Sequence, residues 1–103
     1  MDRFVALADP TRRQIIERLS LGELSFGDIA DKFEMSRPAV SQHLKVLRDT
    51  GLVRVRADAQ RRIYGLDEDG IGEIDAWLRK VQRYWNNSLD NLEQELKREK
   101  EDE

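Results

Sequence analysis

The stretch Met35–Val53, MSRPAVSQHLKVLRDTGLV, predicts a helix whose beginning and end are both marked in the sequence. Ser36 is a favourable N-cap, because its hydroxyl can accept a hydrogen bond from the free backbone N–H groups of the first turn. Pro38 falls within that turn, where its missing N–H costs nothing. Gly51 ends the helix, since glycine readily takes the left-handed conformation after a last turn. We therefore predict a helix over residues 36–50.

The predicted helix has one apolar and one polar face. Val40, Leu44 and Leu47 follow at spacings of four and three, which places them on a single stripe. The side chains off that stripe are hydrogen-bonding or cationic: Arg37, Ser41, Gln42, Lys45 and Arg48. Glutamine and arginine can bond to base edges, so this face suits a polyanion. On periodicity alone, the alternative is an ordinary amphipathic surface helix.

Charge is unevenly distributed along the chain. The formal net charge is −3, but residues 36–66 hold seven basic and two acidic side chains, net +5. The flanking segments 1–35 and 67–103 carry net charges of −2 and −6. The local positive charge of residues 36–66 matters more for binding a polyanion than the net charge of the whole chain does. Chance clustering is the alternative explanation.

Composition limits the class of protein. A chain of 103 residues is long enough for one domain and too short for two full cores. It contains no cysteine, which excludes disulfides and thiolate metal ligands. No apolar run approaches the ~20 residues that cross a bilayer, and no signal peptide is visible, so we expect a cytoplasmic protein without a membrane partner. It has no Cys–His pair, Ser–His–Asp set or phosphate-binding loop, which argues against an enzyme.

Three further helices are predicted before the central one, of which the first is a short apolar helix that contains Phe4, Val5, Leu7 and Ala8. Asp9 and Pro10 are predicted to be the N-cap and the first residue of one helix. Residues 25–28 resemble a capping box, which predicts that another helix begins at Ser25. Arg12 and Arg13 lie in the first turn of the helix from Asp9, where they could contact phosphate or pair with nearby acids. The helix from Ser25 and the helix from Ser36 are joined by about three residues, which is the helix-turn-helix arrangement.

A hairpin is predicted directly after the central helix. Residues 53–56 alternate apolar and basic, residues 58–60 form a turn, and residues 62–66 return as a second strand. Its outside or tip carries four arginines: Arg54, Arg56, Arg61 and Arg62. They could lie along the DNA backbone and enter the minor groove. An edge hairpin charged against aggregation is the alternative, although lysine is the commoner residue in that role.

The chain from Asp69 onward predicts a long helix with a heptad-like apolar stripe. About thirty residues of helix span roughly 45 Å, which is longer than a domain of this size can cover. A stripe that extends past the domain must contact another subunit, and a two-fold dimer is the commonest solution. We therefore predict one winged-helix domain over residues 1–103, in which residues 67–103 form a dimerisation helix. The sequence leaves open whether this helix is continuous through Asn86–Ser88.

Three segments, ALADPTRR at 6–13, SRPAVSQHLKVL at 36–47 and GLV at 51–53, resemble the ArsR/SmtB family of bacterial winged-helix repressors. The resemblance implies a mainly α fold with a small β-hairpin in the order α-α-α-α-β-β-α. It also implies a homodimer held by the first and last helices, and repression by occlusion of an operator. The residues that match the family's DNA-reading positions are Ser36, Arg37, Ser41, Gln42 and His43.

The departures from the family pattern concern metal binding. Metal sensors of the family carry the box E-L-C-V-C-D-L, whereas residues 23–29 here read ELSFGDI, with Ser25 and Gly27 at the thiolate positions. The last helix has no histidine for a second family site, and His43 alone does not make a zinc site. We expect no metal and no other cofactor. The sequence is similar to the cysteine-free branch of SdpR-like autorepressors, and its inducer, whether protein or small molecule, is not identified.

These observations predict a dimeric repressor that binds double-stranded DNA. The helix 36–50 would read a palindromic operator and the wing 53–66 would clamp phosphates. The expected DNA-binding residues are Ser36, Arg37, Ser41, Gln42, His43, Lys45, Arg54, Arg56, Arg61 and Arg62. The expected dimer residues are Phe4, Leu7, Ile74, Leu78, Val81, Trp85 and Leu92. The alternative is a winged-helix regulator that binds a protein or small molecule and has only incidental DNA affinity.

Overall fold

Five helices and three strands make up the computed structural model, which describes residues 1–101. Their order is α1 (Arg3–Ala6), α2 (Pro10–Leu19), β1 (Leu24–Ser25), α3 (Phe26–Lys32), α4 (Arg37–Asp49), β2 (Val53–Asp58), β3 (Arg61–Leu66) and α5 (Glu68–Glu101). The predicted fold class is confirmed, with one short strand, β1, that sequence analysis missed. The last two residues of the predicted segment 67–103 lie outside the described residues.

The predicted capping residues determine where the helices begin. Asp9 accepts hydrogen bonds from the backbone N–H groups of Thr11 and Arg12, which lie 2.8 and 3.1 Å from its Oδ1. Ser25 and Ser36 each accept from the N–H three residues later, at 3.1 and 3.3 Å. At the end of α4, Gly51 takes a φ of +73°, in the left-handed region that favours glycine. The boundaries of α2, α3 and α4 thus follow from local side-chain chemistry.

The sheet is antiparallel with strand order β1-β3-β2. Tyr64 on the central strand pairs with Leu24 on one side and Val55 on the other. Successive residues of a strand point to opposite faces, so these three side chains share the face that packs on the helices. The turn between β2 and β3 places Ala59 at a φ of +56°. A strand of two residues is too short to show an alternation of apolar and polar side chains in the sequence. Strand β1 is therefore recognised by its hydrogen-bonded pairing with β3.

A single core joins the helices to the sheet. The α4 stripe of Val40, Leu44 and Leu47 is at most 1 % exposed, as predicted. Other buried core members are Ile15, Leu19, Ile29, Leu52, Val53 and Tyr64. Because the apolar stripe of α4 points into this core, its polar face points outward.

Helix α5 is continuous through Asn86–Ser88 and extends far beyond the domain. Its 34 residues correspond to about 51 Å, and the molecule measures 74 × 25 × 25 Å. Gly70 is buried against the end of α4, and Ile71 and Ile74 pack partly against the core. Every residue from Asp75 to Lys100 is exposed. Among residues 1–101, no helix is long and apolar enough to span a bilayer.

The predicted dimer residues fall into two groups. Leu7 and Ile74 are half-buried against the core of their own domain. The other five are 42–64 % exposed: Phe4, Leu78, Val81, Trp85 and Leu92. Phe4 packs edge-on against Trp77, with ring centroids 5.0 Å apart, which joins α1 to the first part of α5. The exposed apolar surface therefore begins at α1 and continues along α5.

Candidate nucleic-acid interface

The outward face of α4 presents the predicted polar side chains to solvent. Ser36, Arg37, Ser41, Gln42 and Lys45 are all exposed. Ser36 uses its hydroxyl to cap the helix, so its first role is structural. The Arg37 guanidinium lies 5.9 Å from the centre of the Phe26 ring and 4.0 Å from a carboxylate oxygen of Asp31. Ser41, Gln42 and Lys45 make no hydrogen bond or ion pair through their side chains within residues 1–101, which leaves them available to a ligand.

His43 differs from its neighbours because it is half-buried between α4 and α2. Its Nδ1 lies 3.4 Å from a guanidinium nitrogen of Arg12. The Nε of Arg12 in turn donates to the carbonyl of Ala6 at 2.6 Å. The imidazole is thus held from one side by Arg12 of α2.

Arg12 and Arg13 hold the end of α1 in place. Arg13 donates to the carbonyls of Leu7 and Ala8 at 2.8 and 3.0 Å, beside the Arg12 bond to Ala6. Carbonyls at a helix C-terminus lack intrahelical partners and carry partial negative charge, so guanidinium groups suit them. Sequence analysis considered phosphate or acidic partners for these arginines and missed this backbone role. Within the described residues, neither forms an ion pair with a carboxylate.

Two of the four wing arginines pair with Glu23, the residue that immediately precedes β1. Arg54 donates to a carboxylate oxygen of Glu23 at 2.9 Å, and Arg56 approaches the same carboxylate at 3.4 Å. Hydrogen bonds from Arg56 and then Arg54 lower the pKa of Glu23 below its usual value. We call these three residues the wing clasp. Sequence analysis missed the clasp because Glu23 is about thirty residues away from both arginines in the chain.

Gly65 makes the clasp geometrically feasible. Arg54 pairs with Gly65 across the β2–β3 ladder, and β1 lies on the far side of β3. A Cβ on Gly65 would lie 3.1 Å from the guanidinium carbon of Arg54. The arginine therefore extends across the bare backbone of β3 to reach Glu23, where a side chain would crowd it.

The other two wing arginines lie beside α4. Arg61 and Arg62 line a cleft of about 480 Å³ together with Ser41 of α4 and Gln60 of the turn. Arg61 also pairs with Asp58 at 3.1 Å. The wing therefore divides into a clasp at its base and an arginine pair at its tip. Of the four wing arginines, Arg61 and Arg62 line this cleft with Ser41, and Arg54 and Arg56 do not.

The metal-binding positions of the family box have other roles here. Ser25 caps α3 through its hydroxyl, and Gly27 lies in the first turn of that helix. Within residues 1–101, no three histidine, cysteine, aspartate or glutamate side chains are grouped to hold a metal ion. Metal independence stays a prediction, which a zinc titration of DNA binding would check.

A helix-turn-helix followed by a β-hairpin wing defines a winged-helix protein, and its exposed polar helix is typical of the DNA-binding class. Residues 9–55 match the model of the bacterial regulatory protein arsR family. The chain is 44 % identical over 97 residues to the HTH-type transcriptional regulator Rv2034 of Mycobacterium tuberculosis, covering 94 % of this chain and 88 % of that protein. The chain belongs to the ArsR family of bacterial transcriptional regulators.

Two further similarities agree with this assignment. The transcriptional repressor SdpR of Bacillus subtilis is 31 % identical over 86 residues, which cover 84 % of this chain and 96 % of SdpR. The structure of an ArsR-like transcriptional regulator from Rhodococcus matches with a TM-score of 0.74 and 26 % identity, covering 88 % of this chain and 86 % of that one. The predicted resemblance to the ArsR family, and within it to SdpR, is confirmed. The protein is a DNA-binding transcriptional regulator and not an enzyme.

Proposed function

We propose that the protein is a homodimeric repressor that reads a palindromic operator with α4 and clamps backbone phosphate with the tip of its wing. The observation that carries this proposal is the placement of Ser41 beside Arg61 and Arg62, around one cleft on the surface of the domain. The arrangement puts a base-reading helix and two cations where a duplex can contact both. Such a repressor would act in the cytoplasm, where bacterial DNA lies.

Base reading is assigned to the middle of α4. Gln42 is exposed, and a glutamine amide can bond to adenine through two hydrogen bonds in the major groove. Ser41 and Lys45 flank it on the same outward surface. Arg37 and Ser36 lie at the start of the helix, where they would contact the backbone next to the bases. His43 is assigned a positioning role, because Arg12 holds its imidazole.

Phosphate contact is assigned first to the wing tip. Arg61 and Arg62 are exposed and adjoin α4. Arg54 and Arg56 must exchange Glu23 for phosphate before they can contribute. The four arginines predicted as one set are therefore proposed to act unequally, with the tip contributing more than the base.

Dimerisation is assigned to α5 together with Phe4 of α1. Monomeric proteins rarely expose large contiguous apolar surfaces, yet apolar side chains continue along α5 to Leu96, which is 52 % exposed. A second copy packed against this helix would bury them. Two-fold symmetry would present two copies of α4 to two half-sites, which is the reason for proposing a palindromic operator.

The test is a fluorescence anisotropy titration with duplex DNA from upstream of the protein's own gene, and with a shuffled duplex of the same composition. Both titrations are repeated at several salt concentrations. We expect tighter binding to the upstream duplex at every salt concentration, and a linear fall of log affinity with log salt. Equal affinity for the two duplexes would contradict operator recognition. Affinity that is independent of salt would contradict phosphate clamping.

A further inference from the structure

The cleft between α3, α4 and the wing has the size of a small-molecule site. Its volume of about 480 Å³ lies within the range of 300–1,000 Å³ typical of ligand pockets. Phe26 and Gly27 form one wall, Ser41 contributes from α4, and Arg61, Arg62 and Tyr64 contribute from the wing. Three elements that are separate in the chain thus enclose one space.

Tyr64 supplies a hydroxyl group to the cleft, although most of its side chain is buried. The residue is 5 % exposed, and its hydroxyl makes no hydrogen bond within residues 1–101. No polar side-chain atom there is both sealed from solvent and unpaired, so the hydroxyl must reach solvent, and Tyr64 lines this cleft. A hydroxyl that reaches the cleft is available to hydrogen-bond with a ligand atom.

The charge at the cleft favours an anion. Arg62 lies two residues from Tyr64 on β3, on the same face of the strand, because side chains alternate along a strand. Within the described residues, Arg62 has no ion pair, whereas Arg61 pairs with Asp58. A guanidinium, a phenol and the Ser41 hydroxyl around one space can bind a carboxylate through charge-assisted hydrogen bonds. The Phe26 ring offers an apolar wall for the rest of the molecule.

We propose that this cleft binds a small organic anion with an apolar body, and that the bound anion displaces DNA. Displacement rests on the proposed function, because Ser41 and Arg62 would contact DNA and cannot contact both ligands at once. The anion would thus act as an inducer, by a route that involves neither metal nor thiol.

The first experiment titrates the full chain with sodium benzoate and follows backbone amides by NMR. Neutral benzamide serves as a control of the same shape. We expect benzoate to shift the amides of Gly27, Ser41 and Arg62 in a saturable manner, and benzamide to leave them unchanged. Arg62→Gln should weaken benzoate binding by roughly tenfold, the factor expected for one charge-assisted hydrogen bond. Arg83→Gln, which removes an exposed arginine from α5, should leave benzoate binding as it is in the unmodified chain.

Gly27→Leu is designed to fill the cleft. A Cβ on Gly27 would have only the Ser25 hydroxyl among its non-local neighbours within 4 Å, at 3.9 Å, so a side chain can begin there without a clash. Leucine also favours a helix more than glycine does. We expect this variant to lose benzoate binding. If it fails to fold, Tyr64→Phe replaces it, since that change removes the hydroxyl without adding volume and should weaken benzoate binding several-fold.

The second experiment adds benzoate to the protein bound to its upstream duplex, at constant ionic strength because salt alone weakens DNA binding. Benzoate should reduce the affinity of the unmodified chain and leave that of Gly27→Leu unchanged. If the chain binds its duplex selectively but benzoate neither binds nor competes, this inference fails and the proposed function stands. If the chain does not prefer its duplex, the proposed function fails, and the NMR titration still decides whether the cleft binds an anion.

Two other outcomes would overturn the inference. If inorganic phosphate but not benzoate shifts the same amide signals in a saturable manner, the cleft is a binding site for DNA backbone phosphate alone. Benzoate binding that survives in Gly27→Leu, with the variant folded, would place the anion elsewhere on the surface.

Discussion

At the scale of single residues, neighbouring positions on α4 differ in what they can do. Gln42 is exposed, whereas His43, the next residue, is held by Arg12 of α2. Both match DNA-reading positions of the family, but only Gln42 is unengaged within residues 1–101. Side-chain environment, rather than the match to a motif, decides which of them is proposed to read a base.

Gln42→Ala should reduce affinity for the operator by about 1–3 kcal/mol and affect shuffled DNA much less, because the lost hydrogen bonds are base-specific. Gln14→Ala is the matched control, since Gln14 is an exposed glutamine on α2. Anisotropy titrations with both duplexes measure the effect. Equal losses on operator and shuffled DNA, or no loss on either, would remove the base-reading role from Gln42.

Gly70 and Gly72 form a second contrast between neighbouring residues. A Cβ on Gly70 would collide with the backbone carbonyl oxygen of Gly51, because the start of α5 packs directly on the end of α4. A Cβ on Gly72 would have no atom within 4 Å. Glycine is therefore required at the first position and merely costs helix stability at the second.

Gly70→Ala should lower the free energy of unfolding by about 1–3 kcal/mol, as overpacking of a tight contact does. Gly72→Ala should raise it by about 0.5–1 kcal/mol, since alanine loses less backbone entropy in a helix. Urea unfolding followed by circular dichroism measures both. Equal shifts in the two variants would contradict the close approach of α5 to Gly51.

At the scale of elements, the wing is a hairpin whose charge is partly neutralised by the acid that immediately precedes β1. Glu23 binds Arg54 and Arg56, so the base of the wing presents less free positive charge than its sequence indicates. The pKa of Glu23 is lowered, so the ion pairs are complete above its unfolded-state pKa, near 4.5. They are lost as pH falls through the lower folded-state pKa. At neutral pH the clasp is therefore fully formed.

Glu23→Gln should increase affinity for both operator and shuffled DNA and steepen the salt dependence, because it releases two arginines toward phosphate. Exposed ion pairs contribute little to folding, so the fold should be retained. Glu17→Gln, at an exposed acid of α2, removes the same charge away from the wing. If the two variants bind DNA alike, the gain comes from net charge and the clasp does not restrain the wing.

At the scale of the whole molecule, the domain and its long helix α5 differ in whether their apolar side chains are buried within the chain. The domain buries its apolar stripe internally, whereas α5 projects with its apolar side chains exposed along a length that the domain cannot cover. Gly70, Ile71 and Ile74 attach this helix to the core. The exposed apolar side chains of α5 beyond Ile74 form the proposed dimer interface.

Trp85→Glu should produce monomers and weaken operator binding strongly, because a charge replaces a large apolar side chain in the interface and the two half-sites are no longer linked. Asn87→Glu adds the same charge two residues further along α5, off the apolar stripe, and should remain dimeric. Sedimentation velocity at micromolar concentration distinguishes the two states. A dimeric Trp85→Glu variant, or a monomeric unmodified chain, would contradict the proposed interface.

Much of the fold could be predicted from the sequence because its signals are local. The caps at Asp9, Ser25 and Ser36 satisfy N–H groups two or three residues away, and Gly51 ends α4 through its own backbone conformation. The apolar stripe of α4 follows from helical periodicity, which needs no knowledge of distant residues. For the same reason the polar surface residues Ser41, Gln42 and Lys45 could be named in advance.

Only the tertiary structure decided which distant side chains meet. Pairing of β1 with β3 brings Glu23 to the arginines of β2, across a position that Gly65 leaves bare. Packing of α2 against α1 brings Arg12 and Arg13 to backbone carbonyls at the end of α1. Docking of the wing beside α4 forms the cleft around Tyr64. These contacts join residues from different elements, and periodicity and capping act only within one element, so neither could indicate them.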